Sequence, residues 1–173
     1  MVDELVDPRR AEPEFVLPER AMLEAWLEWH RTTLLLKCEG LDDAQRKARP
    51  VETSKLSLHG LVRHMAEVER NWFRRVLLQE AAGPIWYDPS VEDSELVPLD
   101  DAIWEADLAA WTLECEHSRA AAAKHQLDDT GIRHGTPCSL RWIYVHMIEE
   151  LARHAGHGDI LREQILAADS SQA

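Results

Sequence analysis

The sequence lacks the features that would place a protein in a membrane or on nucleic acid. It has no run of eighteen consecutive apolar residues, and its first ten residues contain no apolar segment of the kind found in secretory signals. Acidic residues outnumber basic ones 32 to 19, for a formal net charge of -13, and Lys and Arg are not gathered into a patch. We therefore expect a soluble, cytoplasmic protein whose partners include neither membrane nor nucleic acid.

Cysteine is also scarce. The three cysteines, Cys38, Cys115 and Cys138, are odd in number and far apart along the chain. This arrangement argues against a disulfide framework and against a Cys-x-x-Cys zinc site. We expect these side chains to serve packing rather than chemistry.

The dominant pattern that is present is helical. A chain of 173 residues is long enough for one domain with its own core. Apolar positions recur with helical period in four long segments, and there is almost no strand signal. The sequence thus predicts an all-α protein, a four-helix bundle with long inter-helix loops. We assign residues 1–17 to an extended N-terminal leader, 18–167 to the bundle and 168–173 to a polar tail.

Capping residues and helix breakers set the expected helix boundaries. The first helix begins near Pro18 and ends at Gly40, and a short helical turn follows at Asp42–Lys47. The other expected bounds are a second helix from the N-cap Ser57 to Gly83-Pro84, a third from Asp100 or Asp101 to about Leu127, and a fourth from Ser139 to about Leu166. Residues 84–100 form the longest predicted loop, and residues 128–138 form a turn-rich one.

The most informative stretch lies on the last helix. Steps of four, four and three residues connect His146, Glu150, His154 and His157, so their side chains share one stripe of the helix. The stripe borders the apolar face that should be buried, where a carboxylate beside imidazoles is costly unless a cation compensates it. A divalent metal site is therefore one hypothesis. The other is that these histidines are half-exposed and bond only to water or backbone.

A remote partner for this stripe lies on the second helix. His64 directly precedes the apolar Met65, and facing helices of a bundle commonly build metal sites together. Taken alone, such a histidine is more often satisfied by a carbonyl oxygen. Glu67 and Glu69 on the same helix are expected to be solvated and paired with nearby arginines at helical spacing.

Two segments together carry a resemblance to a known family. They are LSLHGLVRHMAEVERNWF at residues 56–73 and SLRWIYVHMIEELARHAGHGDILRE at residues 139–163. The pair resembles the DinB/YfiT-like superfamily, and more narrowly its actinobacterial branch grouped with mycothiol-dependent enzymes. The resemblance covers roughly residues 18–166.

This resemblance implies a helical bundle, often dimeric, with one divalent metal. In the family, a histidine of the second helix and a pair four residues apart on the last helix hold the ion. The pair is His-x-x-x-His in many members and Glu-x-x-x-His in the mycothiol-dependent maleylpyruvate isomerase. The matching positions here are His64, Glu150 and His154, with His157 in place of His154 as an open alternative. Zinc is the first expectation, with nickel, iron and manganese as alternatives.

The resemblance also implies thiol chemistry. A low-molecular-weight thiol such as mycothiol or bacillithiol binds the metal as a thiolate and attacks an electrophilic substrate. The chain is thus expected to be an S-transferase or isomerase and a homodimer, with His157 and Arg153, or His146, orienting ligands or moving a proton. Two alternatives stay open: a non-catalytic, stress-related metal-binding bundle, and an interaction protein whose site has decayed.

Overall fold

The computed structural model describes residues 7–97 and 99–170, and most of them are helical. The predicted leader and polar tail therefore fall partly outside the described residues. The helices are α1 (Glu19–Cys38), α2 (Asp43–Lys47), α3 (Leu58–Glu69), which continues as a π-helical segment over Arg70–Leu77, α4 (Trp104–Ala122) and α5 (Leu140–Ser170). The strands are β1 (Thr130–Arg133) and β2 (Thr136–Ser139).

The core lies between the long helices. Helix α1 packs along α5, while α3 packs against both α4 and α5. Each of these helices contributes fully buried apolar side chains, among them Leu34, Leu61, Met65, Trp111, Ile143, Met147 and Leu151. Burying the apolar face of α5 in this core leaves its His/Glu stripe at the border of the core, facing α3.

Capping explains where the early helices begin. The Ser57 hydroxyl accepts the Gly60 N–H at 3.0 Å, so α3 begins where the sequence indicates. Asp42 and Gln45 form a reciprocal capping box at the start of α2. Gly40 has φ +71°, a left-handed conformation that suits glycine and ends the path of α1.

The expectation that residues 128–138 form only a loop is wrong. Strands β1 and β2 pair antiparallel across His134-Gly135, both of which have positive φ as a two-residue hairpin turn requires. Gly131 allows this hairpin to pack on the π-helical segment, because a Cβ there would lie 1.9 Å from the Val76 carbonyl oxygen. A small sheet thus joins the helices, and it lies directly before α5.

The second long helix ends earlier than predicted. Its last part is π-helical, with the Leu78 N–H donating to the Phe73 carbonyl at 3.2 Å, and the chain then turns at Gln79 with φ +55°. The Gln79 side-chain amide donates to the carbonyl oxygens of Val76 and Ile132. The bond to Val76 satisfies a backbone carbonyl at the end of the π-helical segment, so the helix ends well before Gly83-Pro84.

The later helices also depart from their predicted bounds. Helix α4 begins at Trp104 because Ile103 is still extended, and it ends at Ala122 rather than near Leu127. The Arg20 guanidinium of α1 donates to the carbonyl oxygens of Ala122 and His125, both at 2.7 Å, which replaces the next helical bonds. Helix α5 runs on to Ser170, past the predicted end at Leu166. No helix among the described residues is long and apolar enough to cross a membrane.

Candidate metal centre

Helices α3 and α5 bring three of the sequence-predicted residues together. One ligand atom each from His64, Glu150 and His154 can be chosen so that all three lie within 4.8 Å of one another. The His64 and His154 rings meet edge to face with centroids 4.8 Å apart. The four-residue spacing on α5 and the packing of α3 against α5 are together sufficient to form this cluster.

The donor set fits a divalent ion. His154 Nε2 lies 3.4 Å from Glu150 Oε2. Two tetrahedral zinc ligands at about 2.0–2.1 Å from the metal lie about 3.3 Å apart, so this separation suits a shared ion. Two imidazoles and one carboxylate would also leave coordination positions open to water or a substrate, as catalytic sites do.

Electrostatics favour the metal-binding form of His154. The residue is 9% exposed. Burial, together with charge repulsion from His64, His157 and Arg153, lowers the pKa of His154 to about 3. Its imidazole is therefore neutral at pH 7, with a lone pair available to a metal.

His157 and Arg153 lie beside the three-residue cluster rather than in it. His157 Nδ1 is 3.4 Å from His154 Nδ1. Arg153 is paired with Glu149 and has its Nη1 3.8 Å from Glu150 Oε2. Both side chains contact residues of the cluster, which suits orienting or proton-carrying roles.

His146 belongs to a second group that shares Glu150. Its ring nitrogens lie 3.7 Å from Glu150 and 3.9 Å from Glu149. Together these three residues also have ligand atoms within 4.8 Å of one another. The stripe predicted on α5 therefore extends from one cluster into the next, with the Glu150 carboxylate between them.

Sequence reasoning missed Glu95, which lies on the loop between α3 and α4. Its Oε1 is 3.1 Å from His64 Nδ1, and the side chain is only 12% exposed. A proton on Nδ1 that is donated to Glu95 leaves Nε2 of His64 unprotonated, the form that a metal requires. The second oxygen of Glu95 is buried and has no hydrogen-bond partner among the described residues.

Two contacts with α3 place Glu95. The Glu67 carboxylate accepts the N–H groups of residues 85–87 at 2.7, 2.5 and 2.9 Å, so it is a loop anchor and not the solvated pair expected from sequence. Gly60 allows close approach of the loop, because a Cβ there would lie 2.9 Å from the Leu96 carbonyl oxygen. The long loop predicted at 84–100 thus covers the His64 side of the site.

Comparison with known proteins finds a family whose model matches most of this chain. A family model described as mycothiol-S-transferase matches residues 22–167. The match spans α1 to α5, so it includes all three members of the cluster. A search of curated proteins finds no match.

Proposed function

The chain belongs to the mycothiol-S-transferase family, and on this basis we propose that it transfers a low-molecular-weight thiol of the mycothiol type to an electrophilic substrate with the help of a divalent metal. The observation that carries the metal part of the proposal is the convergence of His64, Glu150 and His154 from two helices. A divalent ion at these side chains, zinc in the first instance, would favour the thiolate form of the bound thiol. Sulfur then bonds to the electrophilic carbon while the bond to the leaving group breaks.

The protein's own residues have distinct tasks in this proposal. His64, Glu150 and His154 hold the ion, and the neutral state of His154 at pH 7 means that no proton has to be displaced from it. His157, in contact with His154, accepts the proton that the thiol releases. Arg153, whose Nη1 lies 3.8 Å from Glu150 Oε2, orients the Glu150 carboxylate from the edge of the cluster.

The cysteines of the chain support an external thiol. Burial raises the pKa of Cys38 to about 12 and, together with Glu69, raises that of Cys115 well above its usual value. Burial also raises the pKa of Cys138. All three remain protonated at pH 7, so none is poised as the attacking thiolate.

The finer architecture is part of the same proposal. We propose that α1, α3, α4 and α5 constitute a four-helix bundle of the DinB type, since α1 packs along α5 and α3 along α4. A homodimer through the tryptophan-rich faces of the first and third long helices and a cytoplasmic location remain predictions from the sequence.

The direct test of the function is a conjugation assay. We expect the wild-type protein to accelerate the reaction of mycothiol with monochlorobimane, measured as fluorescence of the conjugate. Treatment with a chelator should abolish the acceleration, and added zinc or nickel should restore it. Glutathione in place of mycothiol serves as the control for thiol selectivity. A rate that is unchanged by chelation, or no acceleration with mycothiol for this or epoxide electrophiles, would contradict the proposal.

Glu95 yields a second prediction, because residues that orient a ligating histidine tune metal affinity. Replacing Glu95 with alanine removes the acceptor for His64 Nδ1, and we expect zinc affinity to fall by about 10–100-fold. Competition with a chromophoric chelator measures this change. Glu92→Ala is the matched control, because Glu92 lies on the same loop with its side chain 87% exposed. Equal zinc affinity of the two variants would remove the assigned role.

A further inference from the structure

Arg133 is one of the arginines of this acidic chain that form no ion pair among the described residues. Its guanidinium has no carboxylate within 4 Å among the described residues, although acidic residues outnumber basic ones 32 to 19. Instead it lies over the Trp72 ring, 4.2 Å from the ring centroid. Stacking holds the cation in one place without neutralising it.

This cation lines a cavity formed by the hairpin and the first turn of α5. The cavity is open, has a volume of about 700 Å³ and is bordered by Thr130, Arg133, Thr136, Cys138, Ser139 and Trp142. None of its lining residues is acidic, whereas four other cavities of the described chain each include Asp or Glu. Arg133 also borders a neighbouring cavity that includes Glu80, but Glu80 pairs with Arg74 at 2.8 Å. The positive charge of Arg133 is therefore available to a ligand.

An aromatic wall connects the cavity with the candidate metal centre. Trp142 stacks on His146 with ring centroids 5.0 Å apart and planes inclined by 18°. Trp72 contacts both rings, at 5.0 Å from Trp142 and 4.5 Å from His146. His146 Nε2 lies 3.7 Å from Glu150 Oε1. A molecule bound on Trp142 would thus lie about two turns of α5 from Glu150, with His146 between them.

The exposed surface of Trp142 indicates the shape of such a molecule. Its side chain is 47% exposed even though it is stacked on His146, so part of a flat apolar surface faces the cavity. A planar conjugated group packs well on an indole surface. A carboxylate on that group would pair with Arg133 in the fork geometry that guanidinium favours.

We propose that this cavity binds the electrophilic substrate, and that the substrate class is a planar, conjugated molecule bearing a carboxylate. Trp142 stacks on the conjugated part and Arg133 pairs with the carboxylate. The inference rests on the proposed function for the identity of the ligand as electrophile. An uncharged ligand would leave the Arg133 guanidinium without a partner of opposite charge.

The test is a binding measurement on metal-free protein without thiol. The probe is trans-cinnamate, and its uncharged counterpart trans-cinnamamide has the same shape. Calorimetric titration should give cinnamate about tenfold tighter binding than cinnamamide, since a charge-assisted pair is made only by the acid. In Arg133→Gln the two probes should bind equally, whereas Arg133→Lys should keep part of the preference.

Two further variants distinguish specific binding of the probe from general effects of altered charge or altered folding. Arg49→Gln makes the same change of charge at an exposed arginine beside a different cavity, and it should leave the tenfold preference intact. Trp142→Leu should weaken both probes by a similar factor, with circular dichroism verifying the fold. The inference is overturned by absence of cinnamate binding, by equal binding of the amide, or by an unchanged preference in Arg133→Gln.

The outcome is independent of the conjugation assay. Cinnamate binding that depends on Arg133, in a protein that transfers no thiol, would remove the proposed function and leave the cavity as an anion-binding site. Thiol transfer without cinnamate binding would remove this substrate class and leave the function.

Discussion

Replacing Arg31 with methionine is expected to lower the free energy of unfolding by about 3–5 kcal/mol. Arg31 donates from Nε and Nη2 to the two oxygens of Glu69, at 2.8 and 2.6 Å, and Glu69 is 0% exposed. Burial opposes the charge on Arg31, yet the Glu69 carboxylate raises the pKa of the guanidinium. Methionine would fill much of the same volume. Among the described residues, however, it would leave the buried Glu69 charge with Ser118 and Cys115 as its remaining side-chain donors. Urea denaturation measures the loss.

A surface ion pair between α4 and α1 provides the control. Arg119 donates to Glu28 in a bidentate pair, at 2.8 Å for both bonds, but its side chain is 50% exposed. Arg119→Met is expected to cost no more than about 1 kcal/mol. The double change Arg31→Met with Glu69→Gln should regain roughly half of the loss, since no charge is then left buried. A loss in Arg31→Met no larger than that in Arg119→Met would contradict this explanation.

The second large effect is expected at the metal. Wild-type protein should gain about 2.7 kcal/mol in stability when free zinc exceeds its Kd by 100-fold. Glu150→Ala and His154→Ala should lose nearly all of this gain, because each removes one of the three proposed ligands from a partly buried cluster. Thermal unfolding with and without zinc measures the difference.

Two residues outside the three-residue cluster serve as matched controls for these variants. Glu149→Ala removes the carboxylate next to Glu150, and His117→Ala removes a histidine of α4 whose side chain is 41% exposed. Both should keep most of the zinc-dependent gain. Equal loss in Glu149→Ala and Glu150→Ala would place the ion with His146 in the neighbouring group instead.

The stripe on α5 could be predicted from local geometry, whereas the choice of His64, Glu150 and His154 came from the family resemblance. Glu150 and His154 are four residues apart on one helix, and His64 lies at the edge of an apolar face that packs on the same core. Periodicity places these residues at the edges of the apolar faces, but it does not select them from neighbours such as His146 and His157. The sequence also predicted the start of α3, because Ser57 caps its own helix.

Contacts between distant segments could not be predicted in this way. Glu95 reaches His64 across 31 residues, from a loop that has no periodic pattern. Glu69 has arginines nearby on its own helix, yet it pairs with Arg31, 38 residues away, because the packing of α1 against α3 buries both. Neither pairing has a signal in local spacing.

The sequence contains a turn signal for the hairpin, but its strand pattern is weak. His134-Gly135 is suited to a two-residue turn with positive φ at both positions. The strands are only four residues long, and Gly131 and Pro137 both weaken the strand pattern. Their stability comes from packing on the π-helical segment, where the absence of a side chain at Gly131 is what allows contact.

The central claim is that a divalent ion bound by His64, Glu150 and His154 supports thiol transfer. Elemental analysis of the wild-type protein, purified without a histidine tag or chelator, tests it most directly. About one divalent ion per chain, lost in Glu150→Ala and His154→Ala but kept in Glu149→Ala, is the expected result. No bound metal in correctly folded wild-type protein, even after dialysis against zinc or nickel, would contradict the claim and make the polar stripe of α5 a structural feature.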